Sequence, residues 1–321
     1  MPWSRRTLLS SLGAAGLLPA LPRYAWGSAS CPFRLSVIND EISQDFDLAC
    51  SVAARDFGLQ WIELRGMWNK NLTELDSADV DRVRGILEKY KLRVTDIASP
   101  LFKVDWPGAP KSQYSPKSAS YNSDYTFEQQ DEVMERSIEL ARAFNTDRIR
   151  GFDFWRLADP APYRAAMDAK LRDAAEKIGR QNMIFLLENE PSCNTATGAE
   201  AARTLAAVTT PTLMLNWDPG NAALDGEMPF PDGWRLLPHD RIGHCHVKDC
   251  EKKADGSGFE WAEMNKGFVD WVGQFRALVQ MGYHYATSLE THWRGGGTPE
   301  QSTRLCWAGM KEDLSKAGAL S

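Results

Sequence analysis

The sequence has few histidines and no closely paired cysteines. Only five of the 321 residues are histidine, and the first of them is His239. The six cysteines, at positions 31, 50, 193, 245, 250 and 306, form no CxxC pair. A thiolate-rich zinc site usually depends on such pairs, so this class of site is excluded. The scattered cysteines are instead typical of small buried side chains, and their spacing assigns no disulfide.

Positive charge is also scarce, because 37 Lys and Arg residues stand against 43 Asp and Glu residues and give a net charge of −6. An acidic surface repels nucleic acid, so a nucleic-acid partner is excluded. The length would accommodate two average domains, but a single (β/α)₈ barrel often uses as many residues. The apolar fraction of 43% predicts a globular domain with an ample core.

Long hydrophobic runs are absent apart from one near the N-terminus. This run, from Leu8 to Leu21, is too short to span a bilayer. Arg5 and Arg6 precede it, and Gly27-Ser28-Ala29 offers the small residues of a cleavage site. These features predict a twin-arginine-type export signal over residues 1–29. The signal would deliver the domain 30–321 to a bacterial periplasm without stable membrane insertion. Lipid attachment at Cys31 is left open.

Eight short apolar runs alternate with eight segments of helical spacing in the rest of the chain. The strand-like runs begin near residues 33, 61, 93, 147, 183, 212, 242 and 285. This alternation predicts a single (β/α)₈ TIM barrel of the α/β class. The third run is expected to end at Ala98, because Pro100 lacks the amide that regular pairing needs. The long polar segment 103–125 predicts a lid or substrate loop over the barrel.

Four consecutive runs end in a residue that a divalent metal could use. They are Glu188 in LLENEP, Asp218 in LNWDPGN, His246 in GHCHVKD and Glu290 in SLETHW. A charged side chain at the end of an apolar run is costly to bury without a partner, and in a barrel these strand ends meet at one face. Three carboxylates and one imidazole favour Mn²⁺, Mg²⁺ or Co²⁺. We therefore predict a metal site formed by these four residues.

The order of the motifs resembles one known family. DEIS at 40–43, LLEN, WDPGN, HVKD, KGFVDW and SLETH are similar to segments of the sugar phosphate isomerase/epimerase family, whose fold is the xylose-isomerase-like TIM barrel. The resemblance covers residues 33–314 and implies that fold, with the same four residues as the metal shell. In family members the two glutamates lie on opposite sides of the substrate and move a proton through a metal-stabilised cis-enediolate. Catalytic roles are therefore implied for Glu188 and Glu290. Many members carry histidine where this chain has Glu190, so the substrate stays open.

Further side chains near the strand ends are candidates for contact with a carbohydrate. The predicted set is Glu63, Lys103, His244, Lys248, Trp155, Trp293 and Arg294, together with Arg65 and Trp68. Each also has a structural interpretation. His244 could be a core histidine, Lys248 could pair with Asp249, the tryptophans could simply pack, and Arg294 with the glycines 295–297 could form an ordinary loop rather than a phosphate site.

The sequence thus predicts an exported, metal-dependent isomerase or epimerase of an unphosphorylated sugar. Two alternatives stay open. One is a lyase that would cleave 3-keto-glycosides by β-elimination with the same metal and base, and the other is a non-catalytic periplasmic sugar-binding barrel. A DNA-repair enzyme with three zinc ions on this fold would need histidines on early strands, which the chain lacks. A homo-oligomer is compatible with the prediction.

Overall fold

The computed structural model of the protein describes residues 30–115 and 125–320. The predicted export signal, residues 1–29, lies outside this part of the chain, as do residues 116–124 of the predicted lid. The described part of the lid segment packs against the barrel. Trp106 makes edge-on contacts with Phe127 and Phe154, and the hydroxyl of Ser112 donates to the carbonyl of Arg156 at 2.6 Å.

Eight parallel strands form the centre of the fold. They are β1 (Arg34–Val37), β2 (Trp61–Leu64), β3 (Arg93–Leu101), β4 (Arg148–Gly151), β5 (Ile184–Glu188), β6 (Leu213–Trp217), β7 (Ile242–Val247) and β8 (Ala286–Leu289). From β2 to β8 each strand pairs with the next, and β8 pairs with β1. A single parallel bridge between Ile38 and Glu63 joins β1 to β2 and completes the ring. The predicted (β/α)₈ barrel is therefore confirmed.

One helix follows each of the eight strands. They are α1 (Phe46–Ser51, extended by the π-helix Val52–Asp56), α2 (Ser77–Tyr90), α3 (Gln130–Ala143), α4 (Arg164–Gly179), α5 (Gly198–Ala207), α6 (Pro219–Leu224), α7 (Trp271–Gln280) and α8 (Pro299–Lys316). Side-chain caps mark several starts. Asp76, Thr197 and Thr298 each accept a hydrogen bond from an amide in the first turn of α2, α5 and α8.

Shorter elements lie in the loops. Helical turns occur at Asn39–Ile42, Leu72–Glu74, Pro229–Gly233, Trp234–Leu236 and His239–Arg241, and hairpins pair Gly66–Met67 with Lys70–Asn71 and Asp249–Lys252 with Phe259–Ala262. None of the described helices is both long and apolar enough to cross a membrane. All six cysteines are free, and only Cys31 is not buried.

The expected end of the third strand at Ala98 was wrong, because β3 continues through Pro100 to Leu101. Its register with β4 shifts between the pairs Ile97 with Ile149 and Leu101 with Gly151. The proline therefore lies in an irregular stretch, where its missing amide removes no ladder bond. The side chain of Arg150 reaches into this stretch and donates to the carbonyl of Ala98 at 3.1 Å.

Candidate metal centre

The carboxyl ends of β5 to β8 bring four titratable side chains together. Glu188 ends β5, His246 lies one residue before the end of β7, and Asp218 and Glu290 directly follow β6 and β8. One ligand atom from each lies within 4.8 Å of the other three. All four side chains are buried. The four residues that the strand ends predict as a metal site thus form one cluster.

His246 lies between the carboxylates. Its Nδ1 atom is 3.1 Å from Glu188 Oε1, 3.2 Å from Glu290 Oε2 and 3.6 Å from Asp218 Oδ2. Its Nε2 atom lies 3.0 Å from Glu63 Oε1. Burial alone would lower the pKa of His246, but Glu63 and the other carboxylates raise it well above its usual range. Because Nε2 faces Glu63, Nδ1 is the ring nitrogen that faces the other three carboxylates. Glu63 thereby fixes the orientation of the ring.

Two asparagines hold the loops that carry the cluster. The amide of Asp218 donates to Asn189 Oδ1 at 2.8 Å, and Asn189 Nδ2 donates back to the carbonyl of Asp218 at 2.9 Å. Asp218 also caps α6, because its Oδ1 atom accepts from the amide of Asn221 at 2.8 Å. The side chain of Asn221 donates to Glu188 Oε1 and to the carbonyl of Asn189. These contacts explain why an asparagine follows the acid in both LLEN and WDPGN.

Two cations neutralise the acids on one side of the cluster. Lys248 Nζ lies 2.7 Å from Asp218 Oδ2 and directly contacts Glu290 Oε2. Arg65 Nη1 lies 2.7 Å from Glu290 Oε1. Arg65 also pairs with two acids of the DEIS segment, through Nε with Asp40 and through Nη2 with Glu41. Glu290 is therefore held from two sides by positive charge.

On the opposite side, Arg150 Nη1 lies 3.1 Å from Glu188 Oε2. Burial would raise the pKa of Glu188, but His246 and Arg150 outweigh it and hold the pKa below its usual range. Burial also opposes ionisation of Glu290, yet Lys248 and other cations hold its pKa well below the usual range. Both glutamates are consequently carboxylates near neutral pH. For Asp218, by contrast, burial dominates and the pKa is raised.

A cavity of about 300 Å³ opens beside this cluster. Its lining is mainly charged and consists of Asp40, Arg65, Asn71, Pro100, Lys103, Arg150, Phe152, Glu188, Glu190, Glu290, His292 and Arg294. Two members of the cluster, Glu188 and Glu290, thus belong to the lining. Asp218 and His246 are completely buried.

Some of the predicted carbohydrate contacts do line the cavity. Lys103 Nζ lies 3.3 Å from Glu190 Oε2, and Arg294 Nη2 lies 2.7 Å from Glu41 Oε2. Burial would raise the pKa of Glu190, but Lys103 and other partners lower it to about 2. Glu190 is further fixed by the hydroxyl of Ser192, which donates to its Oε1 atom at 2.8 Å. The residue that departs from the family pattern is therefore one half of an ion pair on the cavity wall.

Glu63 and His244 lie inside the barrel, with no exposed surface. Glu63 Oε2 is 3.1 Å from His244 Nε2, which is also 3.0 Å from the hydroxyl of Ser288. His244 Nδ1 faces Asp96 at 3.7 Å. Burial, followed by the charge of Glu63, raises the pKa of Asp96 to about 6. The two residues that sequence reasoning assigned to substrate are thus placed to support His246.

The remaining candidates are mostly engaged elsewhere. Trp155 is buried against Phe152 and Cys193, and Trp293 is partly buried against the main core. The ring of Trp68 is covered by the guanidinium of Arg82 at 4.1 Å. Asp249 accepts hydrogen bonds from the amides of Cys250, Gly267 and Val269, which fixes the loop after the second hairpin. Lys248 itself pairs with Asp218 and Glu290.

Sequence reasoning missed several residues that line the cavity, above all Arg150, Phe152 and His292. The signal for Arg150 was available, because a charged residue within the predicted strand RIRGF is as costly to bury as the three acids and the histidine of the predicted metal site. His292 lies two residues after Glu290, and its Nε2 atom is 3.2 Å from Glu290 Oε1. Nothing in its sequence context separates it from an ordinary loop histidine.

The cluster fits a divalent metal ion. Glu188 Oε2 and Asp218 Oδ2 are buried and accept no hydrogen bond of regular geometry within the described residues, and each forms an ion pair, with Arg150 and Lys248 respectively. Three carboxylates and one imidazole match the ligand preferences of Mg²⁺, Mn²⁺ and Co²⁺. The four residues Glu188, Asp218, His246 and Glu290 would hold the ion.

Comparisons with known proteins agree with the barrel fold. The family described as xylose isomerase-like TIM barrel matches residues 52–308. A similar solved structure is the probable 3-DHS dehydratase AsbF involved in petrobactin synthesis from Bacillus anthracis, with 22% identity, a TM-score of 0.64, and coverage of 87% of this chain and 98% of that chain. No curated protein matches the sequence.

Two further structures carry ligands in their descriptions. D-allulose 3-epimerase from Methylomonas sp. in complex with D-allulose has 17% identity and a TM-score of 0.63, covering 90% of this chain and 98% of that chain. A xylose isomerase-like TIM barrel protein from Mycobacterium smegmatis in complex with magnesium has 16% identity and a TM-score of 0.62, covering 91% of this chain and 98% of that chain. At these identities the likeness establishes the fold alone.

Proposed function

Because the chain belongs to the xylose isomerase-like TIM barrel family, we propose that it is a metal-dependent sugar isomerase or epimerase. One observation carries the proposal. Of the four clustered residues, Glu188 and Glu290 also line the cavity, so they can face a substrate, while Asp218 and His246 are completely buried. Two carboxylates that share a metal site and a substrate cavity suit the transfer of a proton between them and one small molecule.

A divalent ion held by the cluster would act as a Lewis acid that polarises the substrate carbonyl and acidifies the adjoining C–H. One glutamate then accepts that proton while the C–H electron pair moves toward the carbonyl oxygen. The other glutamate, once it has taken up a proton from solvent, can deliver that proton to the opposite face of the same carbon, which gives an epimer. Delivery to the neighbouring carbon gives the isomeric carbonyl compound instead. The lowered pKa values of Glu188 and Glu290 support the starting state of the glutamate that accepts the proton, which must be a carboxylate.

The cavity favours an uncharged sugar over a sugar phosphate. Each of its four lysine and arginine side chains already pairs with a carboxylate, as Arg65 does with Glu290, Lys103 with Glu190 and Arg294 with Glu41; Arg150 pairs with Glu188. A phosphate would have to break such a pair, whereas hydroxyl groups can bond to both partners. Export through the signal predicted at residues 1–29 would be consistent with an unphosphorylated substrate, and it stays a prediction.

The test is solvent-deuterium exchange into a panel of free ketoses and aldoses, followed by NMR with Mn²⁺-loaded protein. We expect exchange at the carbon next to the carbonyl in at least one sugar, and little with the corresponding sugar phosphate. Glu188→Gln and Glu290→Gln should each lower the exchange rate by about 10²–10⁴-fold. Glu139→Gln, on the exposed face of α3, is the matched control.

Metal content of each variant, measured by mass spectrometry, separates loss of the ion from loss of proton transfer. Absence of exchange across the whole panel by metal-loaded wild-type protein would contradict the proposal and favour a binding role. Release of the glycone from oxidised glycosides, without exchange between isomers, would favour the lyase.

A further inference from the structure

Lys248 occupies an unusual place for a lysine. It follows β7 directly, its side chain is only 3% exposed, and its ammonium lies among the acids of the metal cluster. Nζ is 2.7 Å from Asp218 Oδ2 and directly contacts Glu290 Oε2. Both oxygens belong to residues that would hold the metal ion.

These two oxygens are also the ones that a metal needs. The other oxygen of Asp218 accepts the amide of Asn221 at 2.8 Å, and the other oxygen of Glu290 lies 2.7 Å from Arg65 Nη1. Asp218 Oδ2 and Glu290 Oε2 are moreover the oxygens that face His246 Nδ1, at 3.6 Å and 3.2 Å. The ammonium and a divalent ion would therefore require the same two atoms.

Moving the lysine aside is costly, because its stem is confined. A Cβ atom on Gly220 would lie 2.5 Å from Lys248 Cγ, so the stem passes directly against the backbone of α6. Trp271 Nε1 donates to the carbonyl of Lys248 at 3.0 Å and fixes its main chain. The ring of Trp261 lies 5.2 Å from Nζ on a further side. A cation tethered in this way competes at a high effective concentration.

We propose that Lys248 is the resident cation of the metal site in the metal-free protein and that a divalent ion has to displace it. The inference rests on the proposed function only in taking the cluster as a metal site. Like charges at this distance repel strongly in a poorly hydrated site, so both cations cannot keep their places. Lys248 thus stabilises the metal-free fold and, for the same reason, weakens metal affinity. A lysine with a purely structural role would stabilise the metal-free fold without weakening the metal affinity.

The test compares wild-type protein with Lys248→Met, which keeps the length of the side chain and removes its charge. Free Mn²⁺ is quantified by electron paramagnetic resonance during titration, and thermal unfolding is followed with and without Mn²⁺. We expect the variant to bind Mn²⁺ about tenfold more tightly, a usual size for coupling between two sites. Without metal, the variant should also unfold at a lower temperature than wild-type protein. Mn²⁺ should raise the unfolding temperature of the variant by more than it raises that of wild-type protein.

Lys103→Met is the matched control, because Lys103 lines the same cavity but pairs with Glu190 outside the cluster. Its Mn²⁺ affinity should equal that of wild-type protein. If Lys248→Met does not fold, Lys248→Gln provides the same comparison. Unchanged or weaker Mn²⁺ binding by the Lys248 variant would overturn the inference. An equal rise in Mn²⁺ affinity in the Lys103→Met control would overturn it as well. Both results would leave the proposed function intact. If neither wild-type protein nor any variant binds Mn²⁺, the inference and the proposed function both fail.

Discussion

Glu63 divides its two carboxylate oxygens between two histidines. Oε1 lies 3.0 Å from His246 Nε2 and Oε2 lies 3.1 Å from His244 Nε2. An acceptor at His246 Nε2 keeps the proton on that nitrogen, which leaves the lone pair of Nδ1 for a metal. Glu63 therefore does not face the cavity but affects the metal site through the orientation and protonation of His246.

Replacing this acceptor should weaken metal binding. In Glu63→Gln one of the two oxygens becomes an amide donor, so one histidine loses its acceptor. We expect the affinity for Mn²⁺ to fall by about 10–100-fold, the usual cost of losing such a support. Electron paramagnetic resonance of free Mn²⁺ measures this loss. Asp96→Asn is the matched control, since Asp96 faces His244 in the same buried cluster. An equal loss in both variants would point to the charge of the cluster rather than to the orientation of His246.

At the scale of single elements, α6 owes its position to the absence of a side chain at Gly220. A Cβ there would lie 2.5 Å from Lys248 Cγ and 2.9 Å from the carbonyl of Lys248. Gly85, in the middle of α2, meets nothing within 4 Å at the corresponding point. The two glycines therefore differ in what a methyl group would contact, although both lie in helices.

This difference predicts opposite effects of the same substitution. Gly85→Ala should raise the free energy of unfolding by about 0.5–1 kcal/mol, because alanine loses less conformational freedom in a helix. Gly220→Ala should lower it by about 1–3 kcal/mol, the usual cost of forcing extra volume into a packed site. Urea unfolding of both variants measures these changes. A Gly220→Ala protein at least as stable as wild-type protein would show that α6 and Lys248 can separate freely.

The elements themselves were largely predictable, because hydrophobic spacing is a local property. The eight strands and the positions of Glu188, Asp218, His246 and Glu290 at their ends follow from apolar runs of a few residues. The course of β3 through Pro100 does not follow from such a local run, because it depends on a register shift against β4. The two short hairpins were also missed, since neither has the alternating pattern of a longer strand.

At the scale of the whole molecule, the parts that escaped prediction are those that join distant segments. Arg65 follows β2 and reaches Glu290 after β8, which is 225 residues further along the chain. Arg294 likewise returns to Glu41 near the start of the barrel. Such pairs exist only once the barrel has closed, so no local pattern can indicate them. The strand ends and the family resemblance both indicated the residues of the cluster, but neither indicated which acids the nearby cations would pair with.

Closure between β1 and β2 depends on few contacts. Their only bridge in the described chain joins Ile38 to Glu63, whereas β1 and β8 share four residue pairs. The side chain of Asn39 reinforces this seam. Its Oδ1 atom accepts from the amide of Arg65 at 2.9 Å, and its Nδ2 atom donates to the carbonyl of Gly66 at 2.5 Å. One completely buried amide thus substitutes for part of a missing strand ladder.

Asn39→Ala should therefore open the barrel at this seam. The amide of Arg65 and the buried carbonyl of Gly66 would lose their partner, and we expect the free energy of unfolding to fall by about 2–4 kcal/mol. Hydrogen exchange measured by mass spectrometry should accelerate most in peptides that cover β1 and β2. Asn194→Ala is the matched control, because it removes another buried amide whose hydrogen bonds join the loops after β4 and β5. If both variants accelerated exchange at the seam equally, Asn39 would have no special part in closing the ring.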